Sequence, residues 1–225
     1  MSAVFITGTG TDVGKTFVAT GLIRCLRELR RPVNAVKPLV SGFDPAAPSG
    51  SDPAILLEAL GRQVNPEELK RLSPWRFRAP LSPDMAARAE DRTIDFDDVV
   101  DFCGTAIAES GGTLLIEGIG GIMVPLDQRR TVLDLMLALR LPLILVAGSY
   151  VGTLNHTLCA QEVILRHALG LCAIVVSETA DAPVPLEATL TALANFANAP
   201  LLGLRREGPV SRNDAVFRHL VELIG

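Results

Sequence analysis

The chain has 225 residues, with 25 Asp and Glu against 21 Lys and Arg and a formal net charge of −4 at pH 7. This length and a hydrophobic content of 48% predict one folded domain over residues 1–225 and exclude disordered and fibrous classes. The acidic balance argues against a broad basic surface for nucleic acid. No apolar run approaches the roughly 20 residues of a membrane helix, and no basic segment precedes the first apolar run. We therefore expect a cytoplasmic protein with no nucleic-acid or membrane partner.

Short apolar runs alternate with amphipathic segments along the chain. Most of the runs are apolar at every position, which is typical of strands buried on both faces. The predicted strands are 4–7, 33–36, 114–116, 143–147, 173–176 and 201–204. The predicted helices are 15–29, 52–60, 95–109, 132–139, 153–168, 187–196 and 211–224. This order predicts an α/β fold with a mostly parallel sheet of six or seven strands and helices on both faces. The least regular region, 38–83, is expected to be functional because it follows the end of a strand.

The strongest motif follows the first predicted strand and precedes the first predicted helix. Its glycines allow backbone N–H groups to surround an anion, to which the helix N-terminus also contributes. A lysine reaches the outer phosphates, and a threonine hydroxyl suits magnesium. The fold is thus predicted to be that of a P-loop NTPase that binds ATP with Mg²⁺. The predicted nucleotide-binding residues of the loop are Gly10, Thr11, Asp12, Val13, Gly14, Lys15 and Thr16.

The spacing of this loop departs from the usual phosphate loop. Five residues, not four, separate Gly8 from Gly14. The variant belongs to a branch that includes amidating and carboxylating enzymes and chromosome-partition ATPases. Those ATPases carry a second lysine where this chain has Gly10, which argues against that subgroup. Asp12, from the pattern alone, is a solvated loop charge.

Three further charged residues have two interpretations each. Glu117 ends an apolar run and precedes a glycine-rich segment, so it either binds magnesium at the C-terminal edge of a strand or caps a loop. Asp52 precedes Pro53 and has the pattern of a helix N-cap, with metal binding as the alternative. Lys37 follows the second strand and is either an exposed structural lysine or a contact for an anionic substrate.

Taken together, these pieces resemble the dethiobiotin synthetase family over nearly the whole chain. The resemblance rests on six segments in the family's order, each modest by itself. They are 8–16, 37–38 with 41–42, 51–52, 79–83, 117–121 and 152–156. The resemblance implies an ATP- and Mg²⁺-dependent ligase that converts 7,8-diaminononanoate and carbon dioxide into dethiobiotin in biotin synthesis.

The resemblance also implies a role for each matching residue. Lys37, Lys15 and Thr11 would be catalytic, and Thr16, Asp52 and Glu117 would hold magnesium. A homodimer is implied as well, because the other subunit would offer the site for the substrate carboxylate at the start of the helix that begins near 153. The implied substrate-binding residues are Thr11, Lys37, Ser41, Ser82, Gly118, Gly152, Thr153, Leu154 and Asn155.

The chain departs from the family near the base of the nucleotide. Ser177 stands where family members have an asparagine that contacts adenine, and a hydroxyl cannot make the paired contact of an amide. Segment 204–209 also departs from the proline-containing loop that is often found near the base. Two other functions are weighed: a cobalamin-pathway amidating synthetase, for which we expect an added glutaminase domain, and a partition or positioning ATPase that works as a switch.

Overall fold

The computed structural model describes residues 2–180, 182–206 and 213–225. Strands and helices alternate along most of the chain. The strands are β1 Ala3–Gly8, β2 Val33–Val36, β3 Leu39–Val40, β4 Trp75–Arg76, β5 Thr113–Glu117, β6 Leu143–Gly148, β7 Leu171–Ser177 and β8 Leu201–Leu204. The helices are α1 Lys15–Glu28, α2 Asp52–Leu60, α3 Pro66–Leu72, α4 Pro83–Ala89, α5 Phe96–Glu109, α6 Val132–Leu139, α7 Thr153–Arg166, α8 Leu186–Ala194 and α9 Asp214–Ile224.

The central sheet has six strands in the order β2-β5-β1-β6-β7-β8. Every neighbouring pair of these strands is parallel. The chain leaves β1 toward β2 on one side, whereas β6 lies on the other side, so β1 stands where the order of the strands reverses. Ligands of open α/β sheets bind at such a point, beyond the C-terminal ends of the strands.

Two apolar layers cover the sheet. Side chains alternate between them along each buried strand, so that Val4 and Ile6 of β1 belong to one layer and Phe5 to the other. The first layer includes residues of α1, α2, α3 and α9, and the second includes residues of α4, α5, α6 and α7. Burial on both faces explains why the strands are apolar at successive positions.

The predicted α/β fold with a parallel sheet is confirmed, with six strands in the central sheet. The predicted bounds of α2, α6, β2 and β8 coincide with those observed. Three elements between 38 and 83 were not predicted. β3 and β4 form a separate parallel pair of two residues each, and α3 begins after Asn65, whose side chain accepts a hydrogen bond from the Glu68 N–H at 2.9 Å. α4, which begins at Pro83, was not predicted either.

The predicted start of the last helix, residue 211, lies outside the described residues, and α9 is described from Asp214. Across the described ranges, none of the helices combines the length and the apolar character needed to cross a bilayer.

Candidate active site

The phosphate loop connects β1 to α1. Gly14 has a φ of 100° and precedes a helix whose first turn has no side-chain cap, so the first N–H groups of α1 remain available to an anion. A Cβ atom at Gly14 would lie 2.6 Å from Oγ of Ser177. The loop therefore requires glycine at this position both for its conformation and for its contact with the end of β7.

Lys15, the first residue of α1, turns back into the loop. Its Nζ donates a hydrogen bond to the carbonyl oxygen of Gly10 at 2.7 Å, and its side chain is buried. Burial lowers the pKa of Lys15 to about 8, and repulsion from Lys37 contributes to the decrease. This ammonium group therefore lies inside the loop, where the outer phosphates of a nucleotide would be held.

The register of the sheet brings Lys37 and Glu117 together. Val36 of β2 pairs with Ile116 of β5, so that the residues that follow them are neighbours at the C-terminal edge. Lys37 Nζ donates to Glu117 Oε1 at 2.5 Å. Both residues are buried, at 4% and 1% exposure. The interpretation of Lys37 as an exposed structural lysine is therefore wrong.

Asp52 and Thr16 complete this cluster, which we call the carboxylate edge: Thr16, Lys37, Asp52 and Glu117. Lys37 Nζ donates to Asp52 Oδ2 at 2.5 Å, and Thr16 Oγ1 donates to Glu117 Oε1 at 2.6 Å. The two carboxylates are thus connected through one ammonium group, beside the hydroxyl of the phosphate loop.

The N-cap interpretation of Asp52 is wrong. Ser51 is the N-cap residue of α2, and Asp52 is its first helical residue. Since the carboxylate of Asp52 bonds to Lys37, it is directed to the site and not to the helix N–H groups.

The pKa values of this cluster reflect burial opposed by ion pairing. Burial alone would lower the pKa of Lys37, but the attraction of Glu117 and Asp52 overcomes it and raises this pKa above its usual value. Burial would raise the pKa of Asp52, yet the charge and hydrogen bond of Lys37 lower it. Lys37 therefore stays an ammonium ion and Asp52 a carboxylate near neutral pH.

Two residues at the end of α3 form hydrogen bonds with the backbone of Lys37. The carbonyl of Leu72 accepts a hydrogen bond from the Lys37 N–H at 3.0 Å, and Ser73 Oγ donates to the Lys37 carbonyl at 2.5 Å. The sequence analysis missed this support. The Asn65-Pro66 pattern, an N-cap followed by proline, could have revealed α3.

The residues expected to hold magnesium fit such an ion. Thr16, Asp52 and Glu117 offer oxygen ligands, and Glu117 Oε2 is buried with no hydrogen-bond partner among the described residues. Within those residues, no cluster of three or more His, Cys, Asp or Glu could hold a metal by itself. Magnesium in phosphate sites commonly takes one or two carboxylates together with substrate phosphates, which agrees with this smaller set.

A cavity of about 330 Å³ opens between the loop and the carboxylate edge. It contains five of the seven predicted loop residues and three of the nine predicted substrate-binding residues, together with four lining residues that were not predicted: Phe17, Val40, Ile119 and Gly120. The predicted residues that line it are Thr11, Asp12, Gly14, Lys15, Thr16, Lys37, Ser41, Asp52 and Glu117.

Several predicted residues lie outside this cavity. Val13 is buried in the first apolar layer. Gly118 packs against the Phe5 ring, where a Cβ would lie 2.9 Å from the ring. Ser82 donates from Oγ to Asp84 Oδ1 at 2.6 Å, and Ser177 lies against Gly14 as described above.

The start of α7 lies on the opposite side of β1 from the carboxylate edge, after β6. Gly152 has a φ of 93°, and Thr153 is buried, with Oγ1 donating to the Gly148 carbonyl at 2.5 Å. Leu154 is 41% exposed. This segment, including Asn155, does not line the cavity at the loop.

A second, more apolar cavity of about 490 Å³ lies between the phosphate loop and α7. Residues 121–125 form one wall, and His156 and Cys159 belong to the other. Thr11 lines both cavities. The loop therefore separates two open surfaces of the same chain.

Comparison with known proteins gives one family match by sequence model. The model described as an AAA domain matches residues 2–205.

Relatives with a known name are similar over most of their length. The ATP-dependent dethiobiotin synthetase BioD of Caulobacter vibrioides (strain NA1000 / CB15N) is 50% identical over 210 residues, covering 92% of this chain and 94% of that protein. BioD of Methylobacterium nodulans is 47% identical, covering 92% and 95%. BioD of Caulobacter sp. (strain K31) is 45% identical, covering 100% and 96%.

Solved structures share the fold at low sequence identity. The cell division ATPase MinD of Pyrococcus furiosus superposes with a TM-score of 0.52 at 16% identity, covering 100% of this chain and 89% of that one. The signal recognition particle receptor FtsY of Elizabethkingia anophelis, in complex with GDP, gives 0.51 at 12% identity, covering 96% and 63%. These likenesses show the nucleotide-binding fold alone.

Proposed function

Because this chain belongs to the family of ATP-dependent dethiobiotin synthetases and is therefore an ATP-dependent ligase, we propose that it closes the ureido ring of dethiobiotin from 7,8-diaminononanoate and carbon dioxide. The observation that carries the proposal is the carboxylate edge beside the phosphate loop, where one buried ammonium group and two carboxylates face a single cavity.

The first step is formation of a carbamate. One amine of the substrate attacks carbon dioxide, a C–N bond forms, and the nitrogen loses a proton. The carbamate carries a negative charge, which the ammonium group of Lys37 stabilises. Ser41 and Thr11, which line the same cavity, provide hydroxyl groups for hydrogen bonds to it.

The second step is phosphoryl transfer. A carbamate oxygen attacks the γ-phosphorus of ATP, and ADP leaves, which gives a carbamic-phosphoric anhydride. Positioning and charge stabilisation dominate such reactions. Lys15 holds the outer phosphates from inside the loop, and magnesium, when held by Thr16, Asp52 and Glu117, neutralises phosphate charge.

The third step is ring closure. The second amine attacks the anhydride carbonyl, expels inorganic phosphate and loses its proton to give the cyclic urea. No step requires a covalent protein nucleophile. Buried Cys103 agrees with this mechanism, because burial raises its pKa to about 12 and keeps the thiol protonated.

We further propose a homodimer in which the start of α7 of one subunit, Gly152 with Thr153, Leu154 and Asn155, binds the carboxylate of the substrate held by the other. This proposal is supported by the absence of a side-chain cap at the N-terminus of α7, by the exposure of Leu154, and by the position of the segment outside the cavity of its own chain. Gly118 and Ser82 stay candidates for contacts to the same substrate.

We make three further proposals, which concern the nucleotide base, the domain organisation and the location of the enzyme. Ser177 contacts the base of the nucleotide, a role supported by its position at the end of β7 against Gly14. Residues 1–225 form one domain, supported by two apolar layers that share one sheet. The enzyme acts in the cytoplasm, where its small-molecule substrates, ATP among them, are present.

The alternative of a partition or positioning ATPase is not favoured, since relatives at 45–50% identity are named dethiobiotin synthetases. The amidating synthetase alternative is disfavoured on the same grounds.

The experiment is phosphate release from ATP and magnesium with bicarbonate, measured with and without 7,8-diaminononanoate, with the product identified by mass. We expect diamine-dependent release and the ring-closed product. Release that is independent of the diamine would contradict the proposed substrate. ATP binding with no phosphate release under either condition would instead favour a nucleotide-dependent switch.

A further inference from the structure

Lysine occurs at three positions in the whole chain: Lys15, Lys37 and Lys70. Two of them are buried at the site, and Lys70 is exposed on α3. The ammonium group of Lys37 lies between Asp52 Oδ2 and Glu117 Oε1, at 2.5 Å from each. These are the two carboxylates that we propose as magnesium ligands. Lys37 therefore bonds to the ligand oxygens themselves and not only to a neighbouring part of the cavity.

Apart from the exposed Asp12 of the loop, the charges that line the site are balanced. Two ammonium groups, Lys15 and Lys37, face the two carboxylates of Asp52 and Glu117. A wall without surplus negative charge attracts a divalent cation weakly. MgATP brings two positive charges against four negative ones, so the bound state gains most when the cation takes over the carboxylates and both lysines turn to the phosphates and the substrate.

The side chain of Lys37 can move while its backbone stays fixed. Hydrogen bonds to Leu72 and from Ser73 hold the main chain on both sides of the residue. The four-carbon stem of lysine carries a point charge that can turn within the cavity, where Ser41 offers a hydroxyl. Glu117 Oε2, which has no partner among the described residues, leaves the carboxylate able to bind a cation without rearranging.

We infer that Lys37 is an internal cation of the metal site: before the metal–nucleotide complex binds, its ammonium group neutralises Asp52 and Glu117, and the divalent cation displaces it toward the carbamate. Only the last step of this inference, the movement of Lys37 toward the carbamate, rests on the proposed function. Metal and lysine compete for the charge of the same two carboxylates, so metal binding makes Lys37 available to the substrate. By linkage, the carbamate in turn favours metal binding.

The test is Mn²⁺ binding to the full chain without nucleotide at pH 7, measured from the electron paramagnetic resonance signal of free Mn²⁺. Lys37→Met removes the competing charge and keeps most of the length of the side chain. We expect Mn²⁺ to bind about tenfold or more tightly than to the wild type, since the carboxylates lose their internal partner. The matched control is Lys70→Met, which removes an exposed lysine and should bind Mn²⁺ as the wild type does. Equal or weaker binding by Lys37→Met would overturn the inference.

A measurement on the unaltered protein covers the case in which Lys37→Met does not fold. With ¹⁵N-lysine, the chain has only three side-chain ammonium signals. The buried signal of Lys37 should shift when Mg²⁺ and a non-hydrolysable ATP analogue are added together, and should stay near its original position when the analogue is added with EDTA. The same shift under both conditions would show that the metal does not displace the lysine.

The two proposals can fail separately. Neither measurement uses the diamine or detects turnover. If displacement is observed but phosphate release does not depend on the diamine, the proposed substrate is wrong and the internal cation stands. If phosphate release depends on the diamine but no displacement is observed, the ligase reaction stands and the displacement of Lys37 is wrong.

Discussion

The carboxylate edge and the start of α7 lie on opposite sides of the phosphate loop and are built in opposite ways. At the carboxylate edge, Lys37 and Glu117 are almost fully buried and every charged group contacts another within the same chain. At the start of α7, Leu154 is exposed and the first turn has no side-chain cap. The carboxylate edge is thus complete within one chain, whereas in the proposed homodimer the start of α7 would face the other subunit.

The largest effect is expected from removing the positive charge at the carboxylate edge. Lys37→Met should lower kcat by about 100- to 1,000-fold, because the carbamate and the transition state lose a charged partner. The KM for ATP should not rise, since Lys15 and the loop remain and the carboxylates lose their competing partner. Steady-state kinetics with saturating diamine measure both constants. A kcat near that of the wild type would remove Lys37 from the reaction.

A smaller effect is expected at the start of α7. Asn155→Ala should raise the KM for the diamine by about tenfold, in line with the loss of one or two hydrogen bonds to a charged group. The KM for ATP should stay constant, because this segment does not line the cavity at the loop. Kinetics with each substrate varied in turn separate the two constants. An equal rise in both would place Asn155 at the nucleotide.

The dimer proposal can be tested on the same surface. Leu154→Asp places a charge on an exposed apolar position at the start of α7. We expect a shift toward monomer in sedimentation velocity and a loss of turnover that is recovered as the protein concentration increases, because monomer and dimer exchange by mass action. Turnover that is independent of concentration, with unchanged sedimentation, would show that α7 is not at an interface.

Within the phosphate loop, two glycines give a matched pair. Gly14→Ala should lower the free energy of unfolding by about 1–3 kcal/mol, because alanine is strained at a φ of 100° and its Cβ would meet Ser177. Gly10→Ala serves as the control, since the nearest atom to a Cβ there is 3.9 Å away. Urea unfolding measures both variants. Equal losses in the two variants would show that the backbone conformation of Gly14 and its contact with Ser177 add no cost of their own.

The smallest effect concerns one cysteine on α7 and one in the second apolar layer. Cys159 is exposed on α7, whereas Cys103 is buried. Because burial raises the pKa of Cys103 to about 12, only about one thiol in ten thousand is ionised at pH 8. A thiol reagent should therefore label Cys159 and leave Cys103 until the chain unfolds. Slower labelling of Cys159 in the wild type than in Leu154→Asp would add support for a covered α7 surface.

Much of the site could be predicted because its residues follow apolar strands. Lys37 and Glu117 stand directly after and at the end of runs that only a buried sheet explains, and parallel strands bring such ends to one edge. The loop from Gly8 to Thr16 carries its chemistry in its own sequence. Local order and residue type were sufficient for these parts.

Other parts depend on contacts between distant residues. Ser51 and Asp52 both favour an N-cap position, and the contact of Asp52 with Lys37, fifteen positions away in sequence, decides which of them takes it. The support of Lys37 by Leu72 and Ser73 comes from α3, a short helix whose apolar pattern is too brief to predict. That one ammonium group would join both carboxylates followed from no local pattern.

The pairing of Val36 with Ile116 also disfavours sheets in which β2 and β5 pair out of register. Side chains alternate between the faces of a strand, so a slip of one residue between β2 and β5 would turn Glu117 away from Lys37. Each misaligned sheet would then bury an uncompensated charge, at a cost of about 3–5 kcal/mol for a broken buried pair. Aliphatic side chains in place of Lys37 and Glu117 would bury no charge after the same slip, so they would disfavour it less. The charges that serve the reaction therefore also select the correct alignment of the strands during folding.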